Sequence, residues 1–287
     1  MNNFEFQPEL KVDFLTFSDG AEHVQLDPNS VYTSMDLYAN LNSSQNIMRF
    51  FLLIEALNEV QKQDGHVGNL TVDMPYLPYA RQDRHCAPGQ SFALDVFMGL
   101  LSRAVYNCEN LNIIFDVEDL HSDVALELAE TWSLQFNHHT QLDAIKQDEE
   151  VKAFVQDCDV VISPDAGATN KSAEIANYLE IWHFASSKKR DPKTGYITKT
   201  DVHCSHAPEY VKDKNVLICD DICDGGMTFN LLADELKKYE PASINLLISH
   251  GIFSKGIDTL RENFDSLMVL NCMNDDLEDD EFLTIIS

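Results

Sequence analysis

The sequence predicts an α/β protein of two halves, each a mostly parallel sheet flanked by helices. Three observations carry this. Short apolar runs alternate with amphipathic stretches along the whole chain. Its 287 residues exceed one ordinary domain. The segments richest in chemistry stand where apolar runs end, which is where open α/β sheets bind their ligands. The halves divide at 1–138 and 139–287.

In the first half, Leu10–Phe17 and Asn29–Met35 read as strands. Gln45–Gln63 carries apolar residues at Ile47, Phe50, Phe51, Ile54, Leu57 and Val60, close to a 3.6 period, and reads as a helix. Asn69–Met74 is a strand, Ser91–Tyr106 an amphipathic helix, Asn112–Phe115 a strand, and Asp123–Thr131 a short helix. This alternation suits a sheet covered on both faces. In the second half, Lys146–Gln156 is helical, Val160–Ser163 a buried strand, Thr169–Tyr178 a helix and Ile181–Ala185 a strand. Asn215–Cys219 is a strand, Met227–Tyr239 a helix, Ser243–Ser249 a strand and Asp258–Asn263 a final helix. Ser186–Pro208, long and polar with Pro192 and Gly195, reads as a mobile loop. Asp275–Glu281 reads as a solvated acidic segment.

Charge narrows the function. Twenty Lys+Arg against 48 Asp+Glu leave a net charge of −28. Such a surface repels phosphate backbones, which argues against a nucleic-acid partner. Any anionic ligand must be gripped locally, by a few placed cations, backbone N–H groups or metal ions. The beginning of the chain has no secretory pattern. Its most apolar stretch, Phe50 to Leu57, is too short to span a bilayer, so no membrane partner is expected. Seven cysteines without a CxxC pair read as reduced thiols of a cytoplasmic protein. His203-Cys204-Ser205-His206 lacks neighbours to complete a zinc site.

Four segments carry the chemistry. In Val216–Thr228 an apolar strand runs into Asp220 and Asp221, then Asp224, Gly225, Gly226, Met227 and Thr228 at a helix start. Glycines let a backbone approach a phosphate, the helix N-terminus offers free N–H donors, and adjacent carboxylates accept from ribose hydroxyls. The plainer reading is a helix cap with an acidic turn. Pro75–Arg84 places Arg81 and Arg84 three apart after a rigid Pro/Tyr stretch, a phosphate fork or a surface ion-pair set. Ile162–Gly167 ends a strand on Asp165, and Asp116–His121 ends another on Glu118, Asp119 and His121. Either could be a turn.

In this order, YLPYARQDR, EDLH, SPDAG, KKR and DDICDGGMT resemble the ribose-phosphate pyrophosphokinase family across nearly the whole chain, beginning at Phe17-Ser18-Asp19-Gly20, which is similar to the family's adenine-binding FxDGE. The resemblance implies two phosphoribosyltransferase-like domains in a homo-oligomer, from dimer to hexamer. It implies Mg²⁺ as cofactor and transfer of the β,γ-diphosphate of ATP to the anomeric hydroxyl of ribose 5-phosphate, with AMP released. Phe17 and Asp19 would serve a neighbouring subunit's adenine pocket, while Arg81, Gln82, Asp83 and His121 hold ATP. His121 and Asp165 would support the metal. Asp220 and Asp221 would grip the ribose, and Asp224 to Thr228 the 5′-phosphate. Lys188 and Arg190 match the family's catalytic Lys and Arg, which close over the transferring diphosphate. Without the resemblance they read as a solvated basic loop.

The departures are local. The family's Glu after FxDG is Ala21 here, with Glu22 one position on. The usual DTGGT is Asp224-Gly225-Gly226-Met227-Thr228, which removes a hydroxyl at Gly225 and adds Met227. Gly225 would leave room for a phosphodiester, so ADP-ribose, the acceptor of phage-type relatives that rebuild NAD in a host cytoplasm, is the alternative to ribose 5-phosphate. A silent regulatory subunit is a further alternative, against which the basic loop and strand-end acids speak.

Overall fold

The structure is a computed structural model. It describes residues 3–29, 31–190, 197–202 and 207–286, with backbone only at 187–190, 197–202 and 207–208. Two compact units appear, Met1–His139 and Thr140–Ser287.

The first unit contains β1 (Phe4–Gln7), β2 (Val12–Thr16), β3 (Glu22–Leu26), β4 (Ser34–Ala39), α1 (Ser44–Gln63), β5 (Gly68–Met74), α2 (Ala93–Asn107), β6 (Leu111–Glu118), α3 (Val124–Thr131) and β7 (Phe136–His139). Its sheet runs β1-β4-β5-β6-β7, parallel except for β1. Strands β2 and β3 form a separate antiparallel hairpin. Ser43 caps α1 by accepting the Asn46 N–H. That helix buries Phe50, Leu53, Ile54 and Leu57 against the inward set Leu70, Val72, Ile113, Phe115 and Val117. The other sheet face is mostly polar, with Asn69, Thr71 and Asp73 on β5 and Asn112, Asp116 and Glu118 on β6, interrupted by Ile114. Within this unit α1, α2 and α3 all contribute to one core, so the expected helical cover of both faces is not found among its described elements. The first-half reading passed over β1, β3 and β7, and β4 begins only at Ser34. Its inward Met35, Leu37 and Ala39 set the register, and the residues before them turn at Asp27 and Asn29.

The second unit contains α4 (Gln141–Gln147), α5 (Glu149–Gln156), β8 (Val160–Ser163), α6 (Thr169–Leu179), β9 (Trp182–Arg190), β10 (Ile197–Val202), α7 (Ala207–Val211), β11 (Asn215–Cys223), α8 (Met227–Lys237), β12 (Ser243–Gly251), α9 (Asp258–Arg261), β13 (Ser266–Cys272) and β14 (Leu283–Ile285). The sheet order is β10-β9-β8-β11-β12-β13-β14, with only β10 antiparallel. Strands β8 and β11 are buried on both faces, which is why they read as unbroken apolar runs. Val160, Ile162, Val216 and Ile218 pack with α8, whereas Val161, Leu217 and Cys219 pack with α5 and α6.

Three expectations are corrected here. The single helix Lys146–Gln156 is two, broken at Asp148, whose extended backbone and carboxylate cap α5 through the N–H groups of Glu150 and Val151. Part of the expected loop Ser186–Pro208 is regular. β9 continues to Arg190 and pairs with β10, Lys188 opposite Thr200, because strand formers Ile197, Thr200 and Val202 lie within the polar sequence. Residues 191–196 and 203–206, with the His203–His206 cluster, lie outside the described residues. The acidic segment is not merely solvated. The Asp280 carboxylate pairs with Arg261 at 2.6 Å and accepts the Phe282 and Leu283 N–H groups, docking β14 on the sheet. The second-half reading also passed over β13 and β14.

Candidate active site

β11 presents the main site. After the buried Val216–Cys219 it carries Asp220 and Asp221 to the carboxyl end of the sheet, then leaves it at Asp224. Gly226 takes a left-handed φ of +71°, which favours glycine in the turn into α8, and a Cβ there would also crowd Leu260 Cδ2 at 3.2 Å. Met227 opens α8 and is half exposed. The loop therefore leads directly into the N-terminus of an 11-residue helix, where unpaired N–H groups favour an anion. Asp224 is held in turn by the Ser254 hydroxyl, which donates to Oδ1.

The acids of this end act on each other. Burial pushes the Asp220 carboxyl well above the usual carboxylate range, and the negative charges of Asp221 and Asp165 push it further. Asp165 follows β8, the parallel neighbour of β11. Its Oδ1 accepts the N–H groups of Gly167 at 2.9 Å and Ala168 at 3.1 Å, which fixes the turn into α6. Ser163 pairs in register with Ala185, so Lys188 and Arg190 stand three and five residues beyond that point on the overshooting β9. The side chains of both lie outside the described residues.

Sequence reasoning missed Gln141. Fully buried at the start of α4, its Nε2 donates to the Asp220 carbonyl and the Ser249 hydroxyl, both at 2.9 Å, tying β11 to β12 beneath the acids. It also passes over Ser254 and Lys255, although both follow an apolar strand, the signal that singles out Asp165 and Asp220. The room expected at Gly225 is partly taken: a Cβ there would lie 3.4 Å from Lys255 Cδ and 3.5 Å from Cε.

In the first unit, Arg81, Gln82 and Asp83 follow β5 and His121 follows β6, so adjacent parallel strands bring both segments to one sheet end. Arg81, Gln82 and His121 are exposed. Asp83 is buried and pairs with Arg84 at 3.1 Å, so it braces the loop and removes Arg84 from a simple two-arginine fork. Phe17 and Asp19 lie instead at the tip of the β2–β3 hairpin. Asp19 Oδ1 accepts the Ala21 N–H, Gly20 has φ +87°, and the turn leaves the Phe17 ring half exposed. Glu22 is committed elsewhere. Its carboxylate meets Arg49 Nε at 2.6 Å and accepts from Gln45 and Thr16, which hold it below the usual carboxylate range and anchor the hairpin to α1.

Among the described residues, no three His, Cys, Asp or Glu side chains form a metal cage, and no helix is long and apolar enough to cross a membrane. Cys86, Cys108, Cys158, Cys219, Cys223 and Cys272 are free thiols.

The phosphoribosyl transferase domain model matches residues 136–282. The ribose-phosphate pyrophosphokinase of Pyrococcus furiosus is 27% identical over 276 residues, covering 93% of this chain and 88% of that protein. The ribose-phosphate pyrophosphokinase of Mycoplasma genitalium is 26% identical, over 88% and 71% of the two chains. The phosphoribosylpyrophosphate synthetase of Mycobacterium smegmatis shares the fold, with TM-score 0.74 and 20% identity over 96% of this chain and 86% of that one. The chain belongs to the phosphoribosyl transferase domain family, and within it to the ribose-phosphate pyrophosphokinases.

Proposed function

We propose that this chain transfers the β,γ-diphosphate of ATP to the anomeric hydroxyl of ribose 5-phosphate, forming phosphoribosyl diphosphate and AMP. The observation that carries the reading is the end of β11, where two carboxylates precede a glycine turn into a helix N-terminus. Asp220 and Asp221 accept hydrogen bonds from the ribose hydroxyls. The N–H groups from Gly225 onward and the Thr228 hydroxyl take the 5-phosphate. So fixed, the anomeric oxygen attacks the β-phosphorus. The bond from β-phosphorus to the bridging oxygen breaks, AMP departs with that oxygen, and the hydroxyl proton is lost. Lys188 and Arg190 offset charge on the transferring diphosphate. Arg81, Gln82 and His121 hold the nucleotide, with Asp83 bracing their loop.

Mg²⁺ fits the donor chemistry. Asp165 is a hard oxygen donor, and the repulsion among Asp165, Asp220 and Asp221 is what a nearby divalent cation relieves. His121 and Asp165 are the residues assigned to support it, and when bound it neutralises phosphate charge. The exposed Phe17 supports a homo-oligomer in which the hairpin serves a neighbour, and the free thiols support a cytoplasmic location.

The test is incubation with ATP and Mg²⁺, offering ribose 5-phosphate and ADP-ribose separately while following AMP. The expected result is AMP release with ribose 5-phosphate. Release with ADP-ribose alone, or with neither, overturns the reading.

A further inference from the structure

The turn after β12 reaches back to the phosphate loop, and its placement is tightly specified. The Cys223 carbonyl accepts both the Ile252 N–H at 2.8 Å and the Phe253 N–H at 3.2 Å. The Phe253 ring is fully buried, and it lies so close to Gly251 that a Cβ there would meet ring atoms at 2.1 to 2.8 Å. The Gly256 N–H closes the turn on the Phe253 carbonyl, and Asn274 donates to that same carbonyl. Ser254 then bonds Asp224, the first residue of the loop. Lys255 comes next. Its Cγ, Cδ and Cε run past Gly225, at 3.9, 3.4 and 3.5 Å from where a Cβ would stand. The ammonium is one bond beyond Cε. Lys255 is exposed and, among the described residues, forms no ion pair.

The loop itself is poorly equipped for a dianion. Asp224 to Thr228 contain one carboxylate, one hydroxyl and no cation, in a chain of net charge −28. Backbone N–H groups and a helix terminus supply only partial positive charge. A cation seated on the loop by its own stem, with its head in solvent, supplies the rest without the cost of burying a charge.

We propose that Lys255 is a substrate-binding and specificity-determining residue, which pairs its ammonium with the 5-phosphate of the acceptor and so selects phosphorylated ribose over ribose. The lysine stem runs past Gly225 at a distance that even a Cβ would leave in ordinary van der Waals contact, which seats the ammonium at the loop. This inference rests on the function proposed above and extends it to a residue outside the loop.

The test uses Lys255→Met, which keeps the stem against Gly225 and removes only the charge. Binding of ribose 5-phosphate is measured by calorimetry on the intact protein, alongside steady-state kinetics with ATP and Mg²⁺. The variant should bind ribose 5-phosphate about 10- to 100-fold more weakly and show a KM raised to match, as expected for losing a charged hydrogen bond. Its kcat should stay within about twofold and its KM for ATP should not move, because the group acts on one end of one substrate. Lys255→Arg should retain most of the affinity. Gly225→Thr in the Lys255→Met background should regain part of it, since the new Cβ fits and brings a hydroxyl donor. If wild-type protein uses ribose 5-phosphate and Lys255→Met binds it equally well, this inference fails and the function stands. If wild-type protein neither binds nor uses ribose 5-phosphate, both fall.

Discussion

The Gln141 side chain donates from Nε2 to the carbonyl oxygen of Asp220 across 2.9 Å, and the same nitrogen holds Ser249 of the neighbouring strand. The bond fixes the backbone from which project the two carboxylates, Asp220 and Asp221, that we propose bind the ribose. Gln141→Leu keeps the volume but removes the donor, leaving buried acceptors unsatisfied at a cost of about 1–3 kcal/mol. Urea unfolding should show that loss. Kinetics should show a raised KM for ribose 5-phosphate with KM for ATP unchanged. A variant equally destabilised but kinetically normal would make Gln141 purely structural.

Lys188 occupies a strand that overshoots the end of β8, paired opposite Thr200 on β10. Its charge is assigned to the transferring diphosphate, where charge develops in the transition state. Lys188→Ala should therefore lower kcat by about 100-fold or more while ATP binding changes little, and Arg190→Ala should behave alike. Parallel losses of affinity and rate would make them ordinary binding residues.

Much of this was legible in the sequence where one physical cause acts alone. Val160–Ile162 and Val216–Cys219 read as strands because burial on both faces leaves nothing charged or strongly polar in them. Asp220, Asp221 and Asp165 stand out because they follow such runs at the strand ends. The rest needed tertiary information. Gln141 looks like any polar helix residue until α4 is set against β11 and β12. Asp148 and Asp280 look like two more acids in acidic stretches, yet one caps a helix and the other docks a strand. Glu22 stands one position after the place of the family's Glu, and nothing in the sequence shows that Arg49 on α1 claims its carboxylate. Strand β13 was different: its apolar run Leu267–Leu270 was open to reading and was passed over.

The Phe17 ring is about half exposed at the tip of a hairpin that belongs to neither main sheet, although the Thr16–Glu22 rung that closes its turn is tied to α1 through Arg49. If it completes a neighbour's nucleotide site, Phe17→Ala and Lys188→Ala subunits carry complementary defects. Mixing and exchanging them should restore a fraction of activity through sites with both residues intact. No recovery after exchange has been demonstrated by mass spectrometry would place every site within one chain.

Glu118 sets a pH dependence of stability. It ends β6 opposite His139 of β7, with Asp73 of β5 and Asp119 beside it. Burial first, then the negative charges of Asp73 and Asp119, push its carboxyl up to about 7. Asp73 is itself raised by burial and by Asp116, against an opposing pull from His139. An unfolded glutamate titrates near about 4.3, so between there and about 7 the folded protein holds a proton that the unfolded chain releases. Stability contributed by this group is thus full below the unfolded value, falls as pH rises through that window, and is level above it. The difference is about 4 kcal/mol across the whole window. Glu118→Gln is neutral at every pH, so it should gain about 2–3 kcal/mol over wild type on moving from pH 5 to pH 8 in urea unfolding. Asp73→Asn should shift the wild-type curve the same way but less, by removing one of the charges that raise Glu118. A constant difference between Glu118→Gln and wild type across this range would mean the carboxyl titrates as a solvated group, and the polar face of this sheet would then carry no stored repulsion at β6.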